Sequence, residues 1–203
     1  MKRDREYRNM ELRTIPLEEG KSYYVEGYAS TFSPYVLFKG EDGTEYSERI
    51  EPTAFNDSDL SDVVFRVDHE GRVYARSSAG TIEVWSDEHG LRTKAYLGKT
   101  QQARDLFEDI EAGNYPKMSF AFTVAEDHYD QATHTRVIDR IAKVFDVSPV
   151  SFPANPTTEL GVSTRDYFNG VIEAEKAERL EEEKRERQKQ KIRILLEVSK
   201  HGD

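Results

Sequence analysis

Short apolar runs separated by polar turns dominate the first three quarters of this chain. Tyr23-Tyr24-Val25-Glu26-Gly27-Tyr28-Ala29 has the composition of a strand. Gly40-Glu41-Asp42-Gly43 makes a turn between Val36-Leu37-Phe38 and Glu45-Tyr46, which predicts an early hairpin. Further short strands are predicted at 63–67, 80–85, 91–97, 118–125 and 135–144, several with period-2 alternation and with turn signals such as His89-Gly90 between them. The segment 100–113 breaks this rhythm. Ala103, Leu106, Phe107 and Ile110 recur at helical spacing, with Thr100 placed as N-cap and Gly113 just past the C-terminus.

The composition changes after residue 162. From Tyr167 to Val198 there is no proline and only Gly170 as glycine, and opposite charges fall at i, i+4, as in Glu181 with Arg185. Good helix formers in that pattern predict a long, mostly solvated helix. Its far end, Ile192, Ile194, Leu195, Leu196 and Val198, is apolar enough to need a partner, while heptads are not sustained. Residues 1–20 are charged and without periodicity, as expected of a mobile arm. The expected organisation is an arm over 1–20, a folded domain over 21–166 and a charged helical tail over 167–203. The fold class is mainly β with peripheral helices, α+β.

At 203 residues, 36% hydrophobic and 11% aromatic, the chain can bury a substantial core. It has no cysteine, which excludes a disulfide framework, a thiol nucleophile and a zinc–thiolate site and suits a reducing cytoplasm. The net charge of −10 is unevenly spread: residues 1–13 carry +2 and residues 173–203 balance nine acids with nine bases, leaving about −12 on the body. Such a body repels phosphate, so nucleic acid is not the expected partner. No run approaches the ~18 apolar residues of a membrane span. The start Met1-Lys2-Arg3-Asp4-Arg5 lacks the apolar stretch of a signal peptide. A soluble, intracellular protein is expected.

Three segments carry candidate chemistry: Val67-Asp68-His69-Glu70, then Lys117-Met118-Ser119-Phe120-Ala121-Phe122, then Phe145-Asp146-Val147-Ser148. A hydrolase that works through an activated hydroxyl needs a nucleophile, a base and a group that orients the base. Ser119, His69 and Asp146 supply these types in the order His, Ser, acid. Taken singly, each is an ordinary strand or turn residue. Asp68 rivals Asp146 as orienter by adjacency alone, a weak argument on an extended strand whose neighbours point to opposite faces. Backbone N–H groups near Ser119 and Phe120 are the expected oxyanion donors, with Arg66 and Arg140 as basic side chains able to help. His89, His128, His134 and His201 form no metal-ligand spacing, and no glycine-rich phosphate loop is present. No cofactor or metal is expected.

These segments, with Gly27-Tyr28-Ala29-Ser30, Glu48-Arg49-Ile50-Glu51-Pro52-Thr53-Ala54-Phe55 and Pro149-Val150-Ser151-Phe152-Pro153-Ala154-Asn155-Pro156, resemble the caudovirus prohead serine proteases over roughly residues 22–162. The chain departs from that family's usual pattern at Thr53 and Ala121, where glycine is common, and at Asp146, where glutamate is common. The resemblance implies a serine endopeptidase of a tailed phage that cleaves scaffold and capsid proteins, and itself, during prohead maturation. It further implies catalytic His69, Ser119 and Asp146, no cofactor, and the major capsid protein with its scaffold segment as partner. Self-association, no nucleic acid, no membrane, and a location inside the immature prohead in the host cytoplasm also follow. In catalytic order the chain is similar to the herpesvirus assemblins as well, whose third member follows the serine by some two dozen residues; Ser119 to Asp146 is 27 positions here. That similarity implies a barrel-like antiparallel core. The alternative is a non-catalytic capsid-assembly or scaffold module, suggested by the charged tail. An unrelated esterase would need a Gly-x-Ser-x-Gly elbow, which Ser119 does not have.

Overall fold

The computed structural model of the chain describes residues 5–13, 23–40, 42–151 and 162–200. The chain divides into two units, Met1–Gly161 and Val162–Asp203. The first holds strands β1 (Glu6–Arg13), β2 (Tyr23–Thr31), β3 (Tyr35–Lys39), β4 (Glu45–Ile50), β5 (Val64–Val67), β6 (Glu70–Arg76), β7 (Ile82–Ser86) and β8 (Gly90–Gly98). Helix α1 (Gln101–Glu111) and the long strands β9 (Lys117–Asp130) and β10 (Thr135–Val150) follow. The second unit is one helix, α2 (Val162–Lys200).

The strands form one sheet in the order β3-β4-β10-β9-β1-β2-β8-β7, with β5 on β10 and β6 on β5. The expected barrel-like antiparallel core does not form: the sheet is open, and β10 pairs in parallel with both β4 and β5. Closure needs a regular stagger around every strand. One edge of β10 instead serves β4 along Thr135–Ile138 and β5 at Asp146–Val147. Register shifts against β9 between Ile138 and Asp146 separate the two halves.

Residues 6–13, assigned by composition to a mobile arm, lie inside the sheet as β1, with β9 on one edge and β2 on the other. Residues 1–4 and 14–20 of that arm lie outside the described residues. Charge rather than apolarity marks the buried side of β1. Arg8 donates to Glu48 through Nε at 2.5 Å and through a terminal nitrogen at 2.7 Å, and reaches Glu6 at 2.8 Å. Arg136 meets Glu6 at 2.7 and 3.0 Å, Glu48 at 3.1 Å and Asp127 at 2.8 Å. The Tyr35 hydroxyl donates to Glu48 as well. Burial, with Glu48 beside it, pushes the Tyr35 phenol well up. Five strands thus meet at a buried charge cluster in which every charge has an opposite partner, the condition under which ions tolerate burial.

The expected helix forms as predicted. Thr100 Oγ1 accepts from the Ala103 N–H at 3.2 Å, Ala103, Leu106, Phe107 and Ile110 are buried, and Gly113 takes φ +83° past the last turn. Those four join Phe55, Phe65, Phe120, Phe122 and Val147 in the core. At Gly90, a β-carbon would fall 1.9 Å from the Ser30 carbonyl oxygen, so only glycine lets β8 start against β2. Along α2, Leu180 and Ile192 are exposed, and Glu181 sits 2.8 Å from Lys184, an i, i+3 partner in place of the expected Arg185. The side chains of Ile194, Leu195, Leu196 and Val198 lie outside the described residues.

Replacing Arg136 with Met should cost about 3–5 kcal/mol, because the partnered carboxylates stay buried without their cation. Lys184→Ala on exposed α2 should cost at most about 0.5 kcal/mol. Urea unfolding of the two variants measures both; equal midpoints would show that the buried cluster does not hold β1 in place.

Candidate active site

Ser119 and Asp146 share one face of the sheet because of pairing register. Ser119 lies opposite Ser148, and Ala121 opposite Asp146, on the β9–β10 pair. Val144 pairs with Phe122, and the register then slips by one residue at Phe145 before Asp146 meets Ala121. Without this bulge Asp146 would pair with Phe120, whose ring stacks on Phe122 in the core at a centroid distance of 4.4 Å. A one-residue slip turns every following side chain to the other face. The bulge therefore sends Asp146 toward Ser119 and Val147 into the core.

His69 arrives from the turn joining β5 to β6. Val67 pairs with Glu70, so Asp68 and His69 are the two central turn residues, and both take positive φ, 47° and 61°. Two-residue hairpins favour this left-handed geometry but usually fill it with asparagine or glycine. Here two contacts hold it. The Asp68 N–H donates to the Pro149 carbonyl at 3.0 Å, and the Asp68 carboxylate accepts from the Ser151 N–H at 3.0 Å. Asp68, the rival orienter, is thus spent on tying the turn to the end of β10.

The imidazole bridges the other two groups. Nδ1 lies 2.5 Å from Asp146 Oδ1, and Nε2 lies 2.7 Å from Ser119 Oγ. Ser119 and Asp146 are each 1% exposed, while the His69 side chain keeps 18%. In the tautomer with hydrogen on Nδ1, that N–H donates to the carboxylate and Nε2 is left to accept the serine proton. All three sequence candidates come together.

Two further groups meet Asp146. The Ser148 hydroxyl donates to Oδ1 at 2.9 Å, and an Arg66 terminal nitrogen lies 3.6 Å from Oδ2. Ser148 was legible in principle, since residues two apart on a strand share a face. Arg140 pairs instead with Glu126 at 2.5 Å. The expected oxyanion donors, the Ser119 and Phe120 N–H groups, sit in a strand paired along both edges, where ladders consume such groups. Burial, helped by the carboxylates of Asp68 and Asp109, pushes the nearby Tyr115 phenol up, so it stays neutral at physiological pH. Neither Thr53 nor Ala121 takes a positive φ, so these two sites do not need glycine's backbone freedom.

The left-handed turn yields a stability prediction. Asp68→Gly and Asp68→Ala both lose the Ser151 contacts, but only alanine keeps the backbone penalty. Asp68→Ala should therefore be less stable than Asp68→Gly by about 1 kcal/mol in urea unfolding. Equal stability would place no strain in this turn.

Residues 8–170 match the family model of caudovirus prohead serine proteases. Among solved structures, the bacteriophage T4 capsid assembly protease gp21 is 13% identical with a TM-score of 0.44, covering 74% of this chain and 98% of that one. No curated protein sequence matches significantly. With a family match over most of its length, the chain belongs to the caudovirus prohead serine proteases.

Proposed function

We propose that this protein is a serine endopeptidase of phage head maturation, with Ser119 as nucleophile, His69 as general base and Asp146 as the group that orients and compensates the imidazole. The observation that carries the proposal is the unbroken relay from Asp146 Oδ1 through His69 to Ser119 Oγ, at 2.5 and 2.7 Å. In the acylation step His69 Nε2 takes the Ser119 proton as Oγ bonds to the scissile carbonyl carbon. The imidazolium then gives that proton to the departing amine, leaving an ester on Ser119. Water, deprotonated by the same imidazole, cleaves the ester and restores the serine. Asp146 stays ionised throughout and stabilises the imidazolium. The reaction needs no cofactor.

The substrates in this reading are the scaffold and capsid proteins enclosed with the enzyme in the immature prohead, inside the host cytoplasm, together with the protease itself. The charged helix α2 is the tether: it holds the enzyme to scaffold or capsid and is removed by self-cleavage. A tether of this kind raises the effective concentration of substrate without new contacts at the site.

Co-expression with the cognate capsid protein, read out by intact mass, tests the assignment. Ser119→Ala and His69→Ala should each abolish processing with folding intact, and Asp146→Asn should reduce it by a factor on the order of 10⁴. Wild-type processing by Ser119→Ala would remove the nucleophile and favour the non-catalytic assembly module. A chelator should change nothing; zinc-restored activity after chelation would contradict the mechanism.

Truncation after residue 162 separates tether from enzyme. Peptide turnover should persist while incorporation into proheads falls. Full incorporation of the truncated chain would remove the tether, and lost turnover would make α2 part of the catalytic fold.

A further inference from the structure

Asp146 is a carboxylate almost wholly removed from water, and its principal partner is a group that must be neutral to act as a base. A neutral imidazole supplies a hydrogen bond but no charge. An ionised carboxylate buried at 1% exposure needs a counter-charge as well as hydrogen bonds. Among the described residues the cation that faces it is Arg66, 3.6 Å from Oδ2.

The sheet explains how Arg66 gets there. Val64 pairs with Asp146 and Phe65 with Val147 in the parallel β5–β10 ladder. Facing residues of a ladder share a face, and so do residues two apart on one strand. Val64, Arg66, Asp146 and Ser148 therefore line the same side of the sheet as Ser119. Arg66 stands across β10 from the serine and diagonal to the carboxylate. Three residues further on, the turn that follows this strand delivers His69.

The internal state of Arg66 points the same way. Its Nε is buried with no hydrogen-bond partner among the described residues. An orphaned donor is a cost, so satisfying its own hydrogen bonds does not account for where this side chain lies. The attraction of its charge for Asp146 does. Asp146 is then held on both oxygens: Oδ1 accepts from His69 and Ser148, and Oδ2 faces the guanidinium. That fixes rotation of the carboxylate plane and keeps the lone pair of Oδ1 on the imidazole.

We propose that Arg66 is a positioning residue of the reaction, acting through Asp146 to hold the carboxylate ionised and aimed at His69 before substrate arrives. Its role rests on the Ser119 nucleophile assigned above. It touches neither the serine nor the imidazole in these contacts, so its effect must vanish when Asp146 can no longer carry charge.

A double-mutant cycle reads this directly. The rate at which a fluorophosphonate labels Ser119 measures nucleophile activation without knowledge of the natural cleavage site. Full-length wild type, Arg66→Leu, Arg66→Lys, Asp146→Asn and the Arg66→Leu/Asp146→Asn pair are compared, with Ser119→Ala as the blank. Arg66→Leu should slow labelling about tenfold, within the range seen for residues of one network, and Arg66→Lys should recover most of the loss. In the Asp146→Asn background, Arg66→Leu should change the rate less than about twofold. Equal losses in both backgrounds would make Arg66 a general structural residue and overturn the proposal, as would wild-type labelling by Arg66→Leu. Failure of wild type to label at Ser119 is a separate result: it removes the nucleophile itself, and the role of Arg66 with it.

Discussion

The site depends on the register between β9 and β10. These two strands form the longest pairing in the sheet, and every group of the relay is placed relative to it. Ser119 stands on one strand, Asp146 on the other, and His69 comes from a turn tied to the end of β10 through Pro149 and Ser151. The same pairing turns Phe120, Phe122 and Val147 into the core. A strand buried on both sides can present chemistry on one face only if the other face is firmly packed. The bulge at Phe145 reconciles the two demands. It lets Val144 and Val147 both point inward although three positions separate them, which strict alternation forbids.

Buried charge is the second organising theme, and it appears twice with different purposes. The cluster of Glu6, Arg8, Glu48, Asp127 and Arg136 ties β1 and β4 to the β9–β10 pair, with partners on every member. Such a cluster sets geometry more than it adds net stability, because desolvation cancels much of the attraction. At Asp146 the compensation is thinner among the described residues, with one cation at 3.6 Å and two hydrogen bonds. A carboxylate satisfied this sparingly still has interaction to offer when the imidazole becomes charged.

Much of this was legible from the chain alone, and the failures have physical causes. Apolar alternation located the strands that pack on the core, and the helix was given by its caps and its four buried residues. β1 and β6 escaped because β1 buries the charged Glu6 and Arg8, and β6 is a largely exposed strand paired, among the described residues, with β5 alone. Closure into a barrel was wrong because pairing partners are not written in local composition, and β10 divides one edge between two parallel neighbours. His69, Ser119 and Asp146 could be read as a set because their motifs are distinctive in order. Arg66 could not be ranked above Arg140 because the choice rests on strand register, which appears only in three dimensions.

Placing β1 in the middle of the sheet has a consequence for how the protein is made. β1 leaves the ribosome well before β9, its partner on one side, where Glu6 meets Phe122. A ribosome must therefore release more than a hundred further residues before this strand finds its neighbour, and long-range pairings of this kind form late and slowly. The sheet interior, the buried charge cluster and the relay all wait for the same stretch of chain. A nascent or truncated copy lacking β9 and β10 holds neither Ser119 nor Asp146. That order of assembly brings Ser119, His69 and Asp146 together only once the whole domain exists.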